Sequence, residues 1–164
     1  MSQMLVRTAT ETDVETIRDL TREAYRKWVS ILGREPLPMT ANYSYSLAKH
    51  RFDLIFIDTD LAAVIETVPD EGYLLIENVA VRPSYQRRGL GTQLINLAEE
   101  IACNSHFIGL RLYTNKRFVP NIAFYERLGF ERQYECQING DTLVYMTRLC
   151  STDRSRHGRS VTLR

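Results

Sequence analysis

Between Tyr73 and Ile101 the hydrophobic period of the chain changes, and that change constrains the fold more than any other feature. Tyr73 to Val81 reads as one long apolar strand, and Pro83 ends it. Leu90, Leu94, Leu97 and Ile101 then recur at spacings of 4, 3 and 4, the signature of an amphipathic helix. Between them lies Arg82-Pro83-Ser84-Tyr85-Gln86-Arg87-Arg88-Gly89-Leu90-Gly91-Thr92, a polar, basic turn that opens a helix at two glycines. A helix start leaves its first amides without partners and carries about half a positive charge. Glycine lets a ligand approach the backbone closely. The combination predicts an anion site suited to phosphate, with Arg82, Arg87 and Arg88 clustered at its mouth.

The commoner phosphate ligands fit poorly. A dinucleotide fingerprint has glycine or alanine where this chain has Leu94, and needs an acidic residue about 20 positions on, where Gly109, Leu110 and Arg111 stand. No G-x-x-x-x-G-K-[ST] loop is present.

The rest of the chain alternates strands and helices. Met4 to Arg7 reads as a short strand, and Thr10 to Asp13 as a capping box. Val14, Ile17, Leu20, Ala24 and Trp28 line one face of the helix that follows. Gly33, Pro36 and Pro38 break the pattern, and Thr40 is read as the cap of a short helix to Lys49. Phe52–Ile57 and Leu61–Val68 flank a turn at Asp58-Thr59-Asp60, and Pro69 to Gly72 reads as another turn. Leu110–Tyr113 is a strand, and Asn121–Leu128 a short helix stopped by Gly129. Phe130–Ile138 and Thr142–Leu149 form a hairpin about Asn139-Gly140. The expected fold is α/β, with a mixed, mostly antiparallel twisted sheet of about seven strands flanked by about four helices.

At 164 residues this is one domain, expected over residues 1–150, followed by a basic tail over 151–164. The tail holds four Arg and one Asp, so it carries +3 of a net charge of +1 and leaves −2 on the body. That balance argues against a nucleic-acid partner. No apolar run is long enough to cross a membrane, and no signal peptide opens the chain. Three cysteines (Cys103, Cys136, Cys150) without a CxxC argue against a disulfide framework and a zinc site, and scattered histidines against any metal. Cys103 is read as a core residue and the compartment as the reducing cytoplasm.

Gln86-Arg87-Arg88-Gly89-Leu90-Gly91 resembles the Q/R-x-x-G-x-G/A signature of the GNAT superfamily of N-acetyltransferases. Val79-Ala80-Val81-Arg82-Pro83 resembles the strand that precedes it, and Asn121 to Phe130 resembles the family's second motif about 30 residues on. The resemblance covers residues 4 to 149. It implies acetyl-CoA as cosubstrate, no metal, and a primary amine as acceptor, with a small molecule favoured over a protein and a homodimer possible. It implies that the amides of Arg87, Arg88, Gly89, Leu90, Gly91 and Thr92, with Gln86 beside them, hold the CoA pyrophosphate. The pantetheine arm is expected against Val79, Ala80 and Val81, with the Val79 amide polarising the thioester carbonyl. Asn121 is expected to contact CoA, and Tyr125 to bind CoA and act as general acid toward the leaving thiolate.

A carboxylate on a strand this apolar needs water or a partner, and strand alternation puts Glu77 on the face of Val79. Glu77 is therefore the candidate base, with Glu66 and Glu71 as rivals. Trp28 and Tyr43 are the aromatic candidates for acceptor contact. The competing reading keeps the fold and the loop but makes the chain a non-catalytic acyl-CoA-binding module.

Overall fold

The computed structural model describes residues 1–151. The basic tail therefore lies, apart from Ser151, outside the described residues. Seven strands form one sheet: β1 (Met4–Thr8), β2 (Arg51–Ile57), β3 (Asp60–Asp70), β4 (Tyr73–Val81), β5 (Gly109–Asn115), β6 (Glu131–Ile138) and β7 (Asp141–Leu149). Their order is β1-β2-β3-β4-β5-β7-β6, and every neighbouring pair is antiparallel except β4 with β5. The helices are α1 (Val14–Leu32), α2 (Leu37–Thr40), α3 (Tyr43–Lys49), α4 (Leu90–Asn104) and α5 (Val119–Arg127). Five helices stand where about four were expected, because Pro36-Leu37-Pro38 starts a separate single turn, α2. The cap of α3 is Asn42, whose Oδ1 accepts from the Tyr45 amide at 3.1 Å, and not Thr40. Likewise α5 begins at Val119, two residues before Asn121, and the second turn contracts to Glu71-Gly72 because β3 runs on to Asp70.

Each face of the sheet buries its own cluster. On one face α4 and α5 pack Leu94, Ala98 and Tyr125 against Ile65, Ile76, Leu112 and Met146. On the other, α1 and α3 pack Ile17, Leu20 and Tyr43 against Phe52, Leu54 and Val64. Leu20 and Leu94 are fully buried, and each contributes about 1.5–3 kcal/mol. The start of α1 is fixed by the expected capping box: the Thr10 amide donates to Asp13 Oδ2 at 2.7 Å. Arg7 adds two 2.8 Å bonds to the same carboxylate and holds its pKa down at about 2.

Cys103 and Cys150 form a disulfide across 47 residues of sequence. This corrects the reading of Cys103 as an unpaired core thiol. The cysteines end α4 and β7, and α4 lies on the face of the sheet toward which Val144 and Met146 of β7 also turn. Only the tertiary packing brings the two together, leaving Cys136 free. The cysteine count thus carries no argument for a reducing compartment. Among the described residues no helix is long and apolar enough to cross a membrane, and no group of His, Cys, Asp and Glu is arranged to hold a metal ion.

Candidate functional site

The parallel pairing of β4 with β5 covers only Leu74–Ile76 against Leu110–Leu112. Beyond Ile76 and Leu112 the two strands have no ladder between them, so one backbone edge of Glu77–Val81 faces a gap. A bulge in β4 causes the parting. Asn78 pairs with Glu66 on β3, the next pair is Ile76 with Thr67, and Glu77 is the extra residue. The bulge also reverses the alternation. Leu74 and Ile76 pack with the α4 cluster before it, and Val79 and Val81 after it. Glu77 and Val79 therefore do not share a face, which corrects the reading from simple alternation. Glu77 instead bonds to Tyr113, whose ring lies 5.7 Å from that of Tyr145. Asn78 bonds to Tyr25 of α1.

At the end of β4 the glycine loop has the shape expected of it. Arg87 and Gly89 take left-handed backbone angles, φ 61° and 77°, and Gly89 is the N-cap of α4. Gln86 ties the loop down by donating from Nε2 to the Val81 carbonyl at 3.0 Å. Gln93 donates to Gly89 O at 3.0 Å and closes the first turn of α4, whose earlier amides have no helical acceptor. A Cβ on Gly91 would lie 3.3 Å from the Phe124 ring and 3.8 Å from Val81, so this position sits tight between α5 and β4. Arg87 and Arg88 are exposed at the loop, Arg88 over the Tyr85 ring at 5.2 Å. Arg82 is not with them. It donates to Glu23 at 2.8 Å and to the Leu61 carbonyl at 3.0 Å, which turns it away from the loop. Leu90 and Ala80 have buried side chains, so only their backbones are free to meet a ligand.

The gap opens into a cavity of about 490 Å³ that reaches both faces of the sheet, with Tyr25 and Tyr43 on the α1 side and Tyr125 on the α5 side. Glu77, Val79, Asn121, Tyr125 and Tyr43 line it. Trp28 does not: it is 6% exposed, stacks on Phe118 at 4.3 Å between centroids, and packs the roof from behind. Glu71, a rival base, is a turn residue outside the cavity, and its carboxylate faces Arg111 at 3.8 Å. The Gly33–Met39 segment forms one side of the mouth and the β6–β7 turn the other, and an ion pair from Arg34 to Asp141 joins them.

Several polar groups of the cavity have fixed partners. Glu77 Oε2 accepts from the Tyr113 hydroxyl at 2.8 Å. Glu66 is 6% exposed, and its Oε1 meets His50 Nδ1 at 2.5 Å. Burial raises the Glu66 pKa, with the Glu77 charge adding to it and His50 opposing. Burial lifts Tyr125 above the ordinary tyrosine range, so its hydroxyl stays protonated and available as a donor. Tyr43 is pushed up to about 12 by burial, and its hydroxyl donates to the Pro38 carbonyl at 2.6 Å.

Four cavity groups escaped the sequence reading: Tyr25, His50, Asn78 and Tyr113. Tyr25 falls four residues after Thr21, at the border of the apolar stripe, so the period alone was a weak pointer to it. His50 precedes β2 by one residue, and only the pairing of Phe52 with Glu66 brings it to that carboxylate.

Residues 14–130 match the model of the Acetyltransferase (GNAT) family. Over 59 residues the chain is 41% identical to streptothricin acetyltransferase A of Bacillus subtilis (strain 168), a match that covers 36% of this chain and 34% of that protein. The match thus spans about a third of the length of that relative. The fold is similar to that of the PaiA N-acetyltransferase from Thermoplasma acidophilum, solved with coenzyme A: TM-score 0.76 at 18% identity, over 89% of this chain and 99% of that one. It is equally similar to the ribosomal-protein-S18-alanine N-acetyltransferase from Escherichia coli, with TM-score 0.75 at 18% identity over 98% and 100%.

Proposed function

The chain belongs to the acetyltransferase (GNAT) family, and from that premise we propose that it transfers an acetyl group from acetyl-CoA to a primary amine of a small molecule, by direct attack of the amine on the thioester. One observation carries the reading. The β4–β5 ladder stops at Ile76, a glycine-started helix follows β4, and Tyr125 stands beside the gap that results.

In this reading the free amides at the start of α4, with those of Arg87, Arg88 and Gly89, hold a pyrophosphate, and the missing side chain of Gly91 lets the helix start pack closely on Phe124. The unpaired edge of β4 offers backbone groups to the amide-bearing pantetheine arm, as a neighbouring strand would. In this reading the Val79 amide polarises the thioester carbonyl, and a donor aimed there is typically worth about 2.7–4 kcal/mol. An acceptor amine with a pKa near ~10.4 arrives protonated. Glu77 takes that proton, directly or through a water, and Tyr125 donates to the departing thiolate. Asn121, at the third position of α5, faces the cavity and is free to contact the cosubstrate rather than cap the helix. Much of the rate comes from holding amine and thioester together.

A small acceptor is favoured by the roof. The Arg34–Asp141 pair draws the segment before α2 toward the β6–β7 turn and narrows the mouth between them, which suits a small molecule better than a polypeptide. The local likeness to an acetyltransferase named for streptothricin supports the same choice. The test is thiol release from acetyl-CoA across a panel of diverse amines. Amine-dependent release above the hydrolytic background is the expected result. A chain that acetyl-CoA stabilises, but that turns over no amine in a broad panel, is a binding module instead.

A further inference from the structure

We infer that the acceptor carries a second positive charge a few carbons from the amine that reacts, and that Glu66, with His50 behind it, is the site that holds this charge. The inference rests on the acetyl-transfer reading above and adds a substrate class to it.

The cavity has a surplus of negative charge at one place. Asp141 is neutralised by Arg34 at the mouth. Glu66 and Glu77 lie deeper, on neighbouring strands, and no Lys or Arg among the described residues reaches either of them. Their partners are one imidazole nitrogen and one phenol, and these occupy Oε1 of Glu66 and Oε2 of Glu77. No other donor among the described residues takes the remaining oxygen of either. A carboxylate buried as Glu66 is costs stability unless a charge or several hydrogen bonds compensate it.

A second, independent observation marks the same spot. Asn78 is the register partner of Glu66, lines the cavity and is only 4% exposed. Its Oδ1 accepts from the Tyr25 hydroxyl at 2.8 Å, and its Nδ2 has no partner. The Tyr25 hydroxyl needs Oδ1 as its acceptor, so the orphan is the amide N–H end, and the ligand that pairs it also presents an acceptor atom beside Glu66. Buried polar atoms are rarely left unpaired, and a ligand group at this depth completes the bond.

The topology sets the direction and length of that ligand. Glu77 reaches toward β5 and the gap, through Tyr113. Glu66 lies one strand farther from the gap, on β3. Adjacent strands are ~4.8 Å apart, so an acceptor lying across β4 with its reacting amine at the gap brings a second nitrogen to Glu66 when the two are separated by about three to five methylenes. Tyr25 and Tyr43 supply apolar wall for the carbons between. A carboxylate at the far end would meet Glu66 as a like charge.

The test uses three primary amines of one length that differ only at the far end: 1,4-diaminobutane, 1-aminobutane and 4-aminobutanoate. For the wild-type chain, kcat/KM for the diamine exceeds that for aminobutane by roughly 10- to 100-fold, the scale of a hydrogen bond to a charged partner, beyond the twofold from its two equivalent amines. 4-Aminobutanoate falls below aminobutane. In Glu66→Gln the ratio of diamine to monoamine collapses toward two, with stabilisation by acetyl-CoA reporting that the variant is folded. A flat or reversed wild-type series overturns the inference, and needs no variant to do so. Binding of acetyl-CoA without turnover of any of the three also overturns it, while the broader amine panel still judges the transfer reading. If acetyl-CoA is neither bound nor consumed, it is the transfer reading that falls.

Discussion

The Tyr113 hydroxyl, on β5, donates to Glu77 Oε2, on β4, at 2.8 Å, and so spans the gap where the sheet comes apart. Burial first, and the Glu77 charge second, raise the pKa of Tyr113, so it remains a donor throughout the working range. The bond fixes one carboxylate oxygen and leaves the other for a proton. Glu77→Gln keeps the shape and the bond but cannot accept that proton. We expect kcat to fall by roughly 10²-fold near neutral pH, the scale of a general base. The deficit should shrink as pH approaches the acceptor's own pKa of ~10, where the amine needs no base. A pH–rate profile that runs parallel to wild type at every pH would transfer the role to another group.

Tyr125 offers a cleaner test of the acid. Its ring is held on both sides by Phe124 and Phe130, at 5.3 and 5.7 Å between centroids. Phenylalanine at this position keeps that packing and removes only the hydroxyl. Tyr125→Phe should leave the melting temperature within a few degrees and cut kcat by roughly 10²-fold or more. An unchanged kcat removes Tyr125 from the chemistry and leaves it as a packing residue.

These two groups differ in how far the sequence revealed them. The Gln86–Gly91 loop is legible because its geometry is local, a strand end followed by a helix start at two glycines, while Tyr125 was reached only through a family motif of fixed spacing. The hairpins were readable for the same local reason, since a turn such as the one at Asn139-Gly140 joins neighbours in sequence. Glu77 was found by position but aimed wrongly, because a bulge depends on pairing with β3 and leaves no mark in the alternation. His50 with Glu66, and Cys103 with Cys150, are contacts across 16 and 47 residues, set by register and helix packing. Arg82 was misread in the opposite direction. A basic residue near a phosphate loop invites that assignment, and only the position of Glu23 on α1 shows where the side chain goes.

Gly91 tests the placement of the pyrophosphate. A Cβ there already approaches the Phe124 ring to 3.3 Å, so a longer side chain is forced outward over the free amides of the helix start. In Gly91→Glu that side chain also carries negative charge into an anion site. We expect the thermal stabilisation given by saturating acetyl-CoA to vanish, and the unliganded melting temperature to fall as Phe124 gives way to the new side chain. Stabilisation equal to that of wild type would place the phosphates elsewhere.

Asp13 governs stability at acid pH. Its pKa in the folded chain, held at about 2 chiefly by Arg7, lies below the ~3.9 of an unfolded aspartate. A depressed folded pKa stabilises the fold above the unfolded value, and that contribution is lost as pH falls through the folded one. Asp13→Asn removes the charge and weakens the capping box at Thr10, at a cost of about 1–2 kcal/mol near neutral pH. Urea midpoints should show this deficit at pH 7 and a smaller one as pH drops from about 4 toward 2. A deficit independent of pH would mean that packing, not the Arg7 pair, sets the cost.

Glu66 has the opposite sign. Burial raises its folded pKa above the ~4.3 of an unfolded glutamate, so the fold prefers the neutral form. Stability is therefore lost as pH rises from the unfolded value through the folded one, because the carboxylate that forms is desolvated. Glutamine fills the same space, still meets His50, and carries no charge. We expect Glu66→Gln to melt about 2–4 °C above wild type at pH 7, which corresponds to roughly 1 kcal/mol in a domain of this size. The difference should close near pH 4, where the wild-type carboxyl is itself neutral. Such a gain, in a variant that also loses its preference for the diamine, would show that the chain keeps a costly charge in its core because the acceptor supplies the missing partner. If Glu66→Gln is instead destabilised to the same extent at both pH values, the carboxylate is a structural partner of His50 and not a site waiting for a cation.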